Sequence, residues 1–270
     1  MLKNKKNLVV VVVVILSLGL ILSGCSSQEE EMTKLEKIKE EGKIVLGTAA
    51  DYPPYEFHKQ IDGEDHIVGF DIEIAKEIAK DMGVELEIKD MKFDGLLAAL
   101  QAGNIDFIVA GMVPTEERAK SVDFSQPYYQ AEQKFLTKAG KGSEYKTIED
   151  LKGLKIGAQK ATVQEKIATE RIEASETKLL SKITDLVLEL KNDKIDGVVL
   201  VKPVAAAYAD ANEDLEVADV SFGKEDGVAI AVQQGNPDLL AAINSTLDRL
   251  IEEGKIAEFI AEATKLAESN

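Results

Sequence analysis

Leu97-Ala98-Ala99-Leu100-Gln101, closed by Gly103 and followed by Ile105-Asp106-Phe107-Ile108-Val109, has a counterpart later in the chain. Val187-Leu188-Glu189-Leu190-Lys191 leads through Asp193 into Ile195-Asp196-Gly197-Val198-Val199, and the two stretches superpose at an offset of 90 residues. In each, apolar residues at helical spacing give way to a continuous apolar run. That is the pattern of a helix feeding a strand buried on both faces of a parallel sheet. A second pair of runs precedes them. Lys43-Ile44-Val45-Leu46-Gly47 follows a helical segment from Lys34 to Glu41, and Leu154-Lys155-Ile156-Gly157-Ala158 follows the turn at Gly153. Each opens a lobe, so the fold class expected is α/β, two small sheets flanked by helices.

Other segments fit this plan. Ile72, Ala75, Ile78, Ala79 and Met82 fall at three- and four-residue steps on one helix face, with Gly83 as a stop signal. After the strand-like Gln133 to Thr137, the polar turn residues Ser143 to Thr147 place a first crossing between lobes near there. The apolar run Val228 to Val232 returns the chain to the first lobe, and helices over 238–253 and 255–267 complete it. The expected organisation is lobe one from 34–137 plus 228–270 and lobe two from 138–227. Two crossings make a hinge with a cleft between the lobes.

The N-terminus reads differently. Lys3, Lys5 and Lys6 precede a valine-dominated run from Leu8 to Leu22, too short for a comfortable span of about 20 residues, and Leu22-Ser23-Gly24-Cys25 follows. This is a lipoprotein export signal over 1–24, with small residues before a cysteine that takes the lipid; 25–33 is the lipidated end and a polar tether. The protein is expected on the extracytoplasmic face of a membrane, or in the periplasm of a double-membrane cell. Cys25 is the one cysteine, which excludes a disulfide framework and a thiolate metal cluster. The net charge of −17 becomes −20 once the three lysines of the first 24 residues are removed. Such a surface repels nucleic acid and anionic lipid.

Gly69-Phe70-Asp71-Ile72-Glu73-Ile74-Ala75 resembles the extracellular solute-binding proteins, family 3, that serve polar amino-acid ABC transporters. Tyr52-Pro53-Pro54-Tyr55-Glu56-Phe57, Ala110-Gly111-Met112-Val113-Pro114-Thr115-Glu116-Glu117-Arg118, Val122-Asp123-Phe124-Ser125 and Tyr128-Tyr129 stand in that family's order. The resemblance implies a periplasmic-binding-protein-like (type II) clamshell, expected as a monomer without cofactor or metal. It would close on one amino acid and hand it to a membrane permease and, through that, an ATPase. A bidentate guanidinium suits a ligand carboxylate, and the resemblance gives Arg118 that role. It gives Ala110 and Gly111 a close backbone approach to the α-ammonium, and Tyr52 and Phe93 the two sides of a sandwich around the ligand side chain. Gln159, Thr162, Val163 and Val201 would meet the ligand from lobe two, with Val113 facing them from lobe one; at Thr162 a helix N-terminus presents free N–H groups. A plain N-cap is the alternative for Thr162.

Several positions depart from the family's pattern. Val201 and Ala49 stand where relatives carry acidic residues, Val113 where a hydroxyl is common, and Ala161 where glycine is usual. Leaving one charge of a desolvated pair without its partner costs about 2–5 kcal/mol. Three readings follow: another carboxylate such as Asp51, Glu225 or Asp226 substitutes, the ligand is a carboxylate without an α-ammonium, or binding is lost. A cyclohexadienyl-dehydratase-like enzyme is the alternative class. It would need a proton donor where Val201 stands, and no nucleophile elbow, phosphate loop or zinc spacing is present, so the chain is not expected to be an enzyme.

Overall fold

The computed structural model describes residues 32–224 and 226–269; the export signal, Cys25 and Glu225 lie outside them. Helix α1 (Lys34–Glu41) starts at a reciprocal cap, Thr33 with Glu36, and stops at Gly42 in a left-handed conformation. It delivers the chain into β1 (Lys43–Thr48). A small antiparallel sheet follows, β2 (Asp51–Tyr52), β3 (Glu56–Ile61) and β4 (Glu64–Val68). Helix α2 (Phe70–Met82) then buries Ile72, Ala75, Ile78 and Ala79 of the predicted apolar face, together with Phe70 and Ile74, leaves Met82 half-buried, and ends at Gly83. Next come β5 (Glu85–Asp90), α3 (Leu96–Gln101), β6 (Phe107–Ile108) and β7 (Val122–Phe124).

The second half repeats the scheme. It contains β8 (Glu132–Lys138), β9 (Lys155–Gln159), α4 (Val163–Lys166), β10 (Glu176–Leu180), α5 (Ile183–Lys191), β11 (Gly197–Val201), α6 (Lys202–Asp210) and β12 (Leu215–Lys224). Strand β13 (Ala231–Gln233) and helices α7 (Pro237–Glu252) and α8 (Lys255–Glu268) finish the described chain. The two large sheets have the orders β5-β1-β6-β13-β7 and β10-β9-β11-β8-β12. In each, the first three strands are parallel and the fourth runs antiparallel to both neighbours. This is the two-lobed type II clamshell with two mixed sheets.

The fourth strands show where the chain changes lobe. Strand β8 pairs with β11 and β12 in the second sheet, although the sequence reading groups residues up to 137 with the first lobe. The first crossing therefore precedes β8 rather than following it near Ser143. The physical reason is that each fourth strand is the one entering its sheet directly from a crossing, β8 outward and β13 on return. The two crossings lie side by side. Tyr129 and Val228 form an isolated antiparallel bridge, Tyr128 N–H donates to the Val228 carbonyl at 3.0 Å, and Ser125 N–H donates to the Ile230 carbonyl at 2.9 Å. Paired backbone across both crossings makes one hinge of two strands.

Candidate functional site

One cavity between the lobes gathers most of the residues singled out by sequence. It spans about 350 Å³ of space, part of it open to solvent, and is lined by Tyr52, Phe93, Ala110, Gly111, Val113, Arg118, Gln159, Thr162 and Val163, joined by Ala49, Asp51, Glu56 and Gln164. First-lobe residues come from the ends of β1 and β2, the start of β3, the turn after β5 and the irregular chain after β6. Second-lobe residues come from the end of β9 and the start of α4. Sheet strands carry the chain into the cleft, and their ends set what it presents.

Arg118 lies across this cavity with 8% of its surface exposed. Its Nη1 donates to the Val113 carbonyl at 2.5 Å and its Nη2 to the Ala161 carbonyl at 2.7 Å. A guanidinium has five N–H donors, so these two carbonyls leave three for another acceptor. The Phe93 ring lies under it, 5.4 Å from guanidinium carbon to centroid. Burial pulls its pKa down to about 10, which leaves it charged at neutral pH. Gly111 takes φ 53°, and a Cβ there would meet the Tyr52 ring at 3.0 Å. Glycine is thus favoured by conformation and by the tight space beside the ring.

The second lobe contributes polar groups that are already committed. Thr162 is the N-cap of α4: its Oγ1 accepts from Glu165 N–H at 3.2 Å and donates to the Gln159 carbonyl at 2.7 Å. Gln164 donates to Gln133 Oε1 at 2.9 Å and to the Tyr52 hydroxyl at 3.3 Å. Ala161 takes φ 62°. Only a few L-residues tolerate that region, which fits the glycine that the family resemblance leads one to expect there. Across the cleft, Ile183 N–H at the start of α5 donates to Asp51 Oδ2 at 2.6 Å, and the Tyr208 hydroxyl donates to the Asp51 carbonyl at 2.8 Å. With Arg118 on Ala161 and Lys166 on Glu117 at 3.1 Å, these bonds hold the lobes closed.

Val201 does not line the cavity. It is buried in the β11–β8 ladder opposite Gln133, serves as the N-cap residue of α6, and meets the site through its backbone near the Tyr52 hydroxyl. Of the carboxylates proposed as substitutes, Asp226 is exposed and absent from the lining, whereas Asp51 lines it. Burial raises Asp51 to about 6, against the lowering effect of the Ile183 N–H.

Sequence reasoning missed Glu56. It begins β3 at 1% exposure, lines the cavity, and has no hydrogen-bond partner on either carboxylate oxygen. Burial and the neighbouring Asp71 push its pKa well above the usual carboxylate range. An acidic residue between Tyr55 and Phe57, in a run of aromatic residues and prolines, was the available signal. Glutamate in a strand is ordinarily solvated, and only the fold shows this one beneath the cleft. Among the described residues, no group of three or more His, Cys, Asp or Glu is placed to hold a metal.

A cleft between two hinged α/β lobes, with a fixed guanidinium on one side and a helix N-terminus on the other, defines a solute-binding protein. The chain belongs to the bacterial extracellular solute-binding proteins, family 3, whose model matches residues 44–263. This is a family of non-catalytic binding proteins. The chain is 35% identical over 256 residues to the arginine-binding extracellular protein ArtP of Bacillus subtilis, covering 93% of this chain and 95% of ArtP. It is similar to the amino acid ABC transporter substrate-binding protein AbpA of Streptococcus pneumoniae bound to L-arginine. There the identity is 37%, the TM-score 0.84, and the coverage 87% of this chain and all of that one. Holo ArgBP of T. maritima is 40% identical with a TM-score of 0.74, over 80% of this chain and 93% of that one.

Proposed function

We propose that this chain is the amino-acid-binding component of an ABC importer and that its ligand is a cationic amino acid, with L-arginine the best fit. The observation that carries this reading is Glu56. One cavity contains a fixed cation, Arg118, and a buried carboxylate with two unpartnered oxygens. A ligand that satisfies both has a carboxylate and a positively charged side chain. The ligand carboxylate takes the free donors of Arg118; the side chain lies between Tyr52 and Phe93. The cationic groups are shared between Glu56, Asp51 and the Ala110–Gly111 backbone. Asp51 thereby supplies the charge that Ala49 and Val201 lack. The arginine named for ArtP and AbpA supports the same choice. Capture is by closure of the hinge, and energy for transport comes from the ATPase behind the permease. Lipid on Cys25 holds the receptor at the extracytoplasmic face of the membrane.

Isothermal titration of residues 26–270, unfolded and refolded to strip carried-over ligand, tests the reading against L-arginine, L-lysine, L-histidine, L-glutamine and L-cystine. L-Arginine is expected to bind most tightly, and Glu56→Gln to weaken it by about 30-fold or more. A preference for glutamine or cystine with no response to arginine would sink it. For the anchor, Cys25→Ser should move the protein from the membrane fraction to the soluble fraction.

A further inference from the structure

Glu56, which lines the cavity, lies within hydrogen-bonding reach of the second residue of α2, Asp71, which is completely buried. Asp71 Oδ2 is fully engaged. It accepts from Gly111 N–H at 2.8 Å and from the Tyr128 hydroxyl at 2.8 Å. With both acids ionised, its Oδ1 and the two oxygens of Glu56 have no donor, so three buried acceptors lie together unsatisfied. No basic side chain among the described residues hydrogen-bonds to either carboxyl. The groups that bear on Glu56 are the acids Asp71, Asp51 and Asp90, with Tyr52, Tyr55 and Tyr128 packed around the pair. Two ionised carboxylates side by side in an apolar setting repel and leave their oxygens unsolvated, at a cost that a single shared proton removes.

We infer that Glu56 and Asp71 share one proton in the ligand-free chain and release it when a cationic side chain enters the cavity, so that capture is coupled to proton release. This rests on the cationic-ligand reading given above. The proton turns one orphaned acceptor into a donor for the other carboxylate. The arriving guanidinium or ammonium supplies both the positive charge and the N–H donors, and the proton leaves to solvent. The asymmetry of the pair fits. Asp71, held down by the Gly111 N–H, the Tyr128 hydroxyl and Glu56 against the effect of burial, lies at about 6, whereas Glu56 is driven well above its usual range. Near neutral pH Glu56 carries the proton and Asp71 accepts from it. Asp71 is then a positioning residue, because its other oxygen holds Gly111, whose backbone borders the ligand.

Titration calorimetry of L-arginine in two buffers of different ionisation enthalpy measures the protons released. The expected count is about one per ligand near neutral pH, with Kd falling about tenfold per unit from about pH 6.5 to about pH 7.5. Glu56→Gln, which removes the proton carrier, should bring the release close to zero, and Asp71→Asn, whose amide can donate to Glu56 and still accept from Gly111 and Tyr128, should lower it. Tight arginine binding with no proton release and a flat pH profile overturns the inference while leaving the receptor assignment standing. So does a release that vanishes in Asp51→Asn and survives in Asp71→Asn and Glu56→Gln. Failure to bind any cationic amino acid at any pH overturns the receptor reading itself.

Discussion

The two lobes are built from the same bonds and differ in what they set around the cleft. In lobe one Asp106 Oδ2 accepts from Val45 N–H at 2.7 Å, and Asp106 N–H donates back to the Val45 carbonyl at 2.8 Å. In lobe two Asp196, 90 residues later, does the same with Lys155, at 2.7 and 2.8 Å. The packing repeats as well. A Cβ on Gly47 would strike Ile105 and Leu96, and one on Gly157 would strike Ile195 and Leu186, each pair 90 residues apart. Even Gly111 and Val201 stand at that offset. There the likeness ends, because the chain after β6 leaves its sheet as open backbone at the cavity, whereas β11 runs straight into α6. A common scaffold thus yields one lobe that presents charge, Arg118 with Glu56 and Asp51, and one that presents capped helix ends. Lobe one is equipped to hold a ligand and lobe two to close over it.

The widest separation between the lobes should appear in binding. Arg118→Ala removes the cation for the ligand carboxylate and is expected to cost about 3–5 kcal/mol of affinity, a loss of more than 100-fold. Thr162→Ala should cost about 1 kcal/mol, because it deletes an N-cap whose hydroxyl is already bonded within its own lobe. Titration of the two variants with the same ligand decides it. Comparable losses would show that lobe two binds as strongly as lobe one, and unchanged affinity in Arg118→Ala would remove the central residue of the site.

How far this division is legible in the amino-acid sequence depends on the range of the interaction. Periodicity within ten or so residues finds α2, α3, α5 and the apolar strands, since each buries a face that its own side chains announce. The run from Gly111 to Arg118 and the position of Phe93 are also readable, because their chemistry is carried by type and order. The lobe that owns β8 is not. Gln133 to Thr137 looks the same in either sheet, and its partners Leu200 and Ser221 are distant in the chain. The Glu56–Asp71 contact is hidden for the same reason: each acid reads as solvated until the fold buries it. Val201 falls between these cases, being correctly read as apolar while its distance from the cavity depends on how β11 joins α6.

A second test asks whether the repeated bond is equally valuable in both lobes. Asp106 is buried and receives Lys34 from α1 on its other oxygen at 2.5 Å, whereas Asp196 is exposed. An orphaned N–H costs about 1–3 kcal/mol when water cannot reach it and less when it can. Asp106→Ala is therefore expected to destabilise by about 2–3 kcal/mol and Asp196→Ala by about 1, as read from denaturant unfolding. Equal losses would mean that the cover of α1 contributes little and that the scaffolds are energetically, as well as geometrically, alike.

The smallest effect concerns the two positive-φ positions at the cleft, one in each lobe. Gly111 meets the requirement with the residue suited to it, while Ala161 meets it at a left-handed φ of 62° that its Cβ opposes. Ala161 is kept there by its N–H, which donates to Glu165 Oε2 at 2.6 Å, and by its carbonyl, which receives Arg118. Ala161→Gly relieves the strain, offset in part by a freer unfolded chain, for a net gain of about 0.5–1 kcal/mol or roughly 2 °C in Tm. Because the backbone keeps its conformation, ligand affinity should stay within about twofold. A gain in stability without a change in affinity makes the alanine a local strain that the closed structure tolerates. A gain in affinity as well would mean that this strain opposes closure, placing part of the binding energy in the lobe that carries no charged ligand contact.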